Sequence, residues 1–446
     1  MSTPDTRYAK TADGVYIAYQ TLGEGPVDIA WQFEWLGNVD TIWQAPQYAE
    51  WFRGLASFSR LILHDRRGTG ASSRNVDPPN LETRVADLLA VLDAAGSERP
   101  VLGAALEGGA ANVLLAATRP ERVHSLFWWY PAPRSTHAPD YPWGSSDEDL
   151  DRGMKGIIEH WGTAEFDDWW NEPSPADTAT VPETDRIPFA LVCRQTATPD
   201  VAVELELIWR QTDVRGTLPA ISAPTLLLAR DSDKEALEYL ASLLPHAQVK
   251  LFPGGSDLMP LISEQPAVLD VIRSFIGVET PPPDMDRVLA AVLFTDIVGS
   301  TERLAELGDS GWRSVFTRHD ERTRAEIERH RGRYVDSTGD GVFATFDGPA
   351  RAVRCAQAIV ASVRDLGIRI RAGVHTGEVE LEGDEVRGIA VHIGARVAAL
   401  AGPSEVLVSS TVKDLVAGSG LNFEDAGEHE LKGVPERWRL YRVVGS

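Results

Sequence analysis

The run Glu279-Thr280-Pro281-Pro282-Pro283-Asp284 constrains this chain more than any other feature, because three successive prolines cannot continue a helix and favour extended polyproline geometry. The run lies beyond the midpoint of 446 residues, a length too great for one ordinary core. The expectation is two domains, residues 1–278 and 287–446, joined by a semi-rigid proline-rich linker over 279–286.

Composition narrows the class. With 43% hydrophobic and 24% charged residues the chain reads as globular, neither disordered nor fibrous. A formal net charge of -23 argues against nucleic-acid or membrane partners, whose surfaces attract Lys and Arg, so a phosphate ligand would need metal ions beside it. Cys193 and Cys355 are far apart and form no C-x-x-C pair, so they read as plain thiols in a reducing compartment. Met1 to Lys10 is polar and no stretch reaches the ~18 apolar residues of a membrane span, so the expected location is the cytoplasm.

Upstream of the linker, strand-like runs (Val27 to Trp31, Leu61 to His64, Val101 to Ala104, Ser125 to Tyr130, Thr225 to Ala229, Gln248 to Phe252) alternate with helix-like stretches. That alternation predicts an α/β domain on a mostly parallel sheet. The segment from about Pro131 to Arg215 breaks the pattern, and its Trp161, Trp169 and Trp170 read as the packing of an inserted helical cap.

Two segments there resemble α/β-hydrolases: His64-Asp65-Arg66-Arg67-Gly68-Thr69-Gly70 after a buried strand, and Val101 to Val123, a strand, a glycine-containing turn and an Ala-rich helix. The resemblance covers roughly residues 7–277 and implies the hydrolase fold. It does not carry the chemistry. The nucleophile elbow G-x-S-x-G reads Ala104-Ala105-Leu106-Glu107-Gly108, placing Leu106 where the serine belongs. Asp233 fills the acid position, and Asp257, within Pro253-Gly254-Gly255-Ser256-Asp257, stands where the histidine base belongs. What remains is a scaffold suited to binding a small apolar ligand and regulating its neighbour, or to a structural dimerising part.

Downstream, the string Leu293-Phe294-Thr295-Asp296-Ile297-Val298-Gly299-Ser300-Thr301 runs from an apolar strand into an Asp and a helix start, beside free backbone N–H groups that favour phosphate. A second string, Gly332 to Phe346, holds two strand-like runs around Gly339-Asp340 and predicts a tight hairpin with Asp340 at its tip. Two carboxylates at strand edges, with no basic residue beside either in sequence, suit hard divalent cations that bridge to phosphates. Gly308-Asp309-Ser310-Gly311 copies a serine-protease string but reads as a turn.

The two strings together resemble the class III adenylyl and guanylyl cyclases, through essentially all of Asp286 to Val444. The resemblance implies a ferredoxin-like βαββαβ sheet with added elements, and two divalent cations, Mg²⁺ or Mn²⁺, held by Asp296, Asp340 and the Ile297 carbonyl. It further implies a homodimer whose partner supplies Arg396 as transition-state arginine, His392 in place of a ribose-orienting asparagine, and Lys432 for phosphate. The base-reading positions depart from the pattern, with Asp336 where adenylyl cyclases carry lysine and Glu385 at the second position. ATP is the expected substrate, giving 3′,5′-cyclic AMP. The alternatives are GTP, or a nucleotide-binding sensor that no longer cyclises; ester hydrolysis ranks last because of Leu106.

Overall fold

The computed structural model describes residues 3–34, 37–44, 46–163, 165–166, 189–253, 265–277, 287–338, 340–382, 385–434 and 437–445. The chain forms two compact units, Met1–Pro283 and Asp284–Ser446.

In the first unit an eight-stranded sheet has the order β1 (Arg7–Lys10), β2 (Tyr16–Leu22), β4 (Arg60–His64), β3 (Asp28–Gln32), β5 (Val101–Ala105), β6 (Ser125–Trp129), β7 (Thr225–Arg230) and β8 (Ala247–Phe252). From β4 to β8 every pairing is parallel. All five residues of β5 and of β6 are buried, the continuous apolar signature of strands covered on both faces. All six predicted strands are present. The hairpin of β1 and β2 was not expected, because β1 buries only Ala9 and so carries almost no periodic signal.

Among the described residues the helices of this unit are α1 (Pro46–Ala56), α2 (Leu81–Ala95), α3 (Gly109–Thr118), α4 (Asp147–His160), α5 (Phe189–Thr196), α6 (Pro199–Gln211), α7 (Lys234–Leu243) and α8 (Gln265–Ile276). Helices α4, α5 and α6 interrupt the alternation and share a small core of Ile157, Trp161, Phe166, Cys193 and Leu205. The Trp161 indole N–H is satisfied by the Ala197 carbonyl at 3.0 Å. Trp169 and Trp170 lie outside the described residues.

The second unit begins with β9 (Arg287–Ile297), α9 (Ser300–Arg329), β10 (Arg333–Thr338), β11 (Gly341–Phe346), α10 (Pro349–Ser362) and β12 (Ile370–Glu382), the expected βαββαβ core. The additions are β13 (Glu385–Arg387), α11 (Ile389–Leu400), β14 (Val406–Ser409), α12 (Ser410–Leu415), β15 (Asn422–Glu430) and β16 (Arg437–Val444). The sheet order is β10-β11-β9-β12-β14-β16-β15 with β13 on β12, and it is mixed, since β12 and β14 run parallel. The Gly308–Gly311 string is a kink within α9, where Gly308 leaves helical geometry at φ 66. Cys355 is fully buried in the core, and burial pushes its thiol up to about 12. Among the described residues no helix is long and apolar enough to cross a membrane.

Two glycines set α11 close on its sheet. A Cβ on Gly373 of β12 would meet the Ala398 backbone nitrogen at 2.1 Å, and one on Gly394 would meet the Val292 side chain at 2.6 Å. The helix buries Ala390, Ile393, Gly394, Val397 and Ala398. Its outward face is left with Ile389, His392, Arg396 and Leu400, all exposed and spaced to fall on one stripe.

Candidate active site

The turn at Leu106 has the backbone of a nucleophile elbow. β5 ends at Ala105, Leu106 takes φ 46, in the left-handed region that a leucine adopts only under constraint, and α3 begins three residues later. The constraint is visible: the Trp128 indole donates to the Leu106 carbonyl at 2.6 Å. A Cβ on Gly108 would lie 2.7 Å from the Gln32 carbonyl oxygen, so glycine is required for the turn to approach β3.

The side chains around this turn neutralise one another. Glu107 is 4% exposed and accepts from Arg66 at 2.7 Å and Arg84 at 3.0 Å, each of which also donates to a nearby carbonyl. Burial pushes the Glu107 carboxyl up, but the two guanidiniums outweigh it and hold it below the usual range. Glu34, by contrast, is pushed up to about 7 by burial and by the charge of Glu107. Asp65 is anchored by the backbone N–H groups of Val39 and Ala71 at 2.7 and 2.6 Å. Asp233 immediately precedes α7 and accepts from Ser232 at 2.9 Å. Asp257 lies outside the described residues.

The second unit presents its carboxylates differently. β10 and β11 pair with Thr338 opposite Gly341, leaving Asp340 at the turn. β11 lies on β9 with Val342 opposite Thr295, and continuing that register by two residues sets Asp340 beside Ile297. Because the Val298 N–H donates to Arg369 on the other side, ladder alternation turns the Ile297 carbonyl toward the β11 edge. Phe294 and Phe343 stack across this pair with ring centres 4.5 Å apart, stiffening the strands beneath the carboxylates. Asp296 and Ile297, at the end of β9, and Asp340, at the turn before β11, therefore lie at neighbouring strand ends.

Their electrostatic partners could not be read from neighbours in sequence. Arg371 stands directly opposite Asp296 on β12, and its Nε donates to Asp296 Oδ2 at 2.8 Å while Nη2 donates to the same oxygen. Asp340 Oδ2 is buried and accepts no hydrogen bond. His319 of α9, 1% exposed, bonds Thr323 at 3.2 Å; burial holds it below its ordinary value against the pull of Asp320 and Asp340.

An orphaned buried carboxylate oxygen is the kind of exception that marks an ion site. Among the described residues no group of three His, Cys, Asp or Glu converges; the oxygens that would hold a cation are those of the Asp296 and Asp340 carboxylates and the Ile297 carbonyl. That hard-oxygen set fits Mg²⁺ or Mn²⁺, which keep waters and share phosphate oxygens.

The remaining predicted residues stand apart from this pair. His392 and Arg396 are exposed on the outward stripe of α11 and make no described contact with Asp296 or Asp340. Lys432 is exposed in the turn after β15, beside the buried Leu431. Asp336 is exposed at a bulge in β10 and accepts from the Ser337 N–H at 2.7 Å. Glu385 opens β13, opposite Glu382.

Comparison with known proteins follows this division. A Rhizobium meliloti (strain 1021) protein named "Putative adenylate cyclase 3" is 34% identical over 157 residues, 33% of this chain and 27% of that one. The chain spans well under half the length of the curated relatives it matches. An esterase from Exiguobacterium antarcticum covers 61% of this chain and all of its own at a TM-score of 0.52 and 17% identity. A hydrolase from Pseudomonas aeruginosa PA01 covers 62% of this chain and all of its own at a TM-score of 0.50 and 21% identity. Residues 284–445 match the family of the adenylate and guanylate cyclase catalytic domain. The chain thus joins a unit with the α/β-hydrolase fold to a class III adenylate and guanylate cyclase catalytic domain.

Proposed function

We propose that the protein converts ATP to 3′,5′-cyclic AMP and pyrophosphate at sites shared between two cyclase domains of a homodimer. The observation that carries this reading is the buried Oδ2 of Asp340, which has no hydrogen-bond partner, at the turn before β11, the strand that pairs with β9, near whose end Asp296 lies. Divalent cations bound there would lower the pKa of the ribose 3′-hydroxyl and neutralise the triphosphate. Asp296, Asp340 and the Ile297 carbonyl would hold them. The 3′-oxygen then attacks the α-phosphorus in line, the bond to the β-phosphate breaks, and no covalent intermediate with the protein forms.

The outward stripe of α11 supports the shared site. Arg396 and His392 face away from their own sheet, flanked by Ile389 and Leu400 at 53% and 42% exposure, an arrangement suited to a partner's surface. From there Arg396 would stabilise charge on the α-phosphate and His392 would donate one hydrogen bond to the ribose. Lys432 would bind phosphate, and Glu385 would accept from the adenine amine. GTP is the second reading, favoured by Asp336, whose exposed carboxylate could accept from guanine.

The hydrolase-like unit, with 279–286 as its linker, would act as an inactive regulator that binds a small apolar ligand. The large negative charge and two buried cysteine thiols suit a cytoplasmic protein with no nucleic-acid or membrane partner.

The purified chain, given Mn²⁺ with ATP and GTP in equal amounts, is expected to release mainly cyclic AMP; release of mainly cyclic GTP-derived product reverses the substrate assignment. Mixing Asp296→Ala and Arg396→Ala chains is expected to restore one intact site per heterodimer. Absence of rescue despite demonstrated subunit exchange sinks the shared site.

A further inference from the structure

Arg371 reaches three acceptor contacts from one strand position. Its Nε and Nη2 both donate to Oδ2 of Asp296, and its Nη1 donates to the Ala399 carbonyl at 3.2 Å. Ala399 lies in the last turn of α11, where carbonyls lack helical partners and the helix end is negative. The planar guanidinium is therefore held by a carboxylate on one side and a helix terminus on the other. Oδ1 of Asp296 takes no part in this pair.

Both side chains are about one-third exposed, 35% for Arg371 and 32% for Asp296. An ion pair this wet is weakly held, because water competes for both partners. It can open without leaving a buried charge unpaired. Yet the guanidinium is always charged, so a divalent cation approaching the same carboxylate meets a like charge, and any cation that uses both oxygens needs the one Arg371 holds.

We infer that Arg371 competes with the divalent cations for Asp296, an inference that rests on the two-carboxylate reading above. In the metal-free protein Arg371 neutralises and orients Asp296 through Oδ2, and it gives up that oxygen as the site fills. Linkage makes the competition reciprocal: whatever strengthens the pair weakens cation binding by the same factor. Because the same guanidinium bonds Ala399, its release also removes a contact from the helix that carries His392 and Arg396. Arg371 is thus a positioning residue that acts through Asp296.

The test is Mn²⁺ binding to the full chain without nucleotide, read from the free-ion signal in electron paramagnetic resonance. Arg371→Gln is expected to bind Mn²⁺ about tenfold more tightly than wild type, Arg371→Lys within about threefold of it, and Asp296→Ala to lose the site. Equal or weaker binding by Arg371→Gln, or no binding by any of these chains, overturns the inference. A second measurement needs no variant at position 371: the NMR signal of the paired Arg371 Nε–H in the wild-type chain should shift or vanish on titration with Mg²⁺, and its persistence would also overturn it. Cyclic nucleotide formation is measured separately. A chain that shows the competition but makes no product sinks the cyclase activity alone.

Discussion

The turn at Leu106 and the turn at Asp340 differ in what they leave unpaired. At the first, a strained backbone typical of a catalytic elbow survives, but its carboxylate, Glu107, is enclosed by two arginines and the position that should attack is a hydrocarbon. At the second, a carboxylate oxygen is buried with no partner. A buried carboxylate oxygen left without a partner lowers stability unless a ligand completes it. The first turn is closed by its own ion pairs, while the second leaves an oxygen open to a ligand.

The largest effect that could break this contrast is on stability. Glu107→Ala strands the buried Arg84 guanidinium and the partly buried Arg66 beside it and should cost the first unit about 3–5 kcal/mol; calorimetry on the full chain would resolve it as a lowered transition. Asp340→Asn removes an unpaired charge and should leave the second unit's transition unchanged within about 1 kcal/mol or raise it. If both substitutions destabilise equally, the two turns do not differ in the way described.

A smaller effect separates the units by pH. Burial pushes Asp65 up to about 7, whereas the unfolded chain ionises it near 3.8. Its contribution to stability is therefore full below pH 3.8 and is lost as pH rises through 7. In the second unit burial pushes His375 down to about 3, while the unfolded chain takes up that proton near 6.5. Its contribution is full above 6.5 and is lost as pH falls toward 3. Between pH 5 and 7, comparison of wild type with Asp65→Asn should show a contribution that falls by about 1–2 kcal/mol, and with His375→Gln one that rises. Slopes of the same sign would remove this distinction.

The smallest expected effect is none at all. Leu106→Ser restores a hydroxyl on the elbow, yet with Asp257 where a histidine base belongs it should give no ester hydrolysis above background. Turnover of a simple ester by that variant would show that the first unit kept more of its chemistry than its residues suggest.

Much of this organisation was legible in the sequence because it rests on local signals. The buried strands β3 to β7 announce themselves as apolar runs between turns, and Gly339-Asp340 flanked by two strand-like runs announces a hairpin. What was not legible depends on register. Arg371 sits 75 residues from Asp296, and only the alignment of β9 with β12 sets them opposite each other. The same holds for Glu107, whose partners Arg66 and Arg84 come from the segment after β4 and from α2. A sequence shows that a position carries charge, but which charge it faces is decided by how distant strands pair.

One assay tests the contrast most directly: cyclic nucleotide formation and ester hydrolysis measured in the same preparation of full-length protein, beside an Asp340→Ala control. The account predicts cyclic nucleotide from the wild type in the presence of Mn²⁺ or Mg²⁺, a loss of about 10³-fold or more in the control, and ester turnover at background in both. Ester hydrolysis without cyclic nucleotide, or product formation that Asp340→Ala leaves intact, would contradict it.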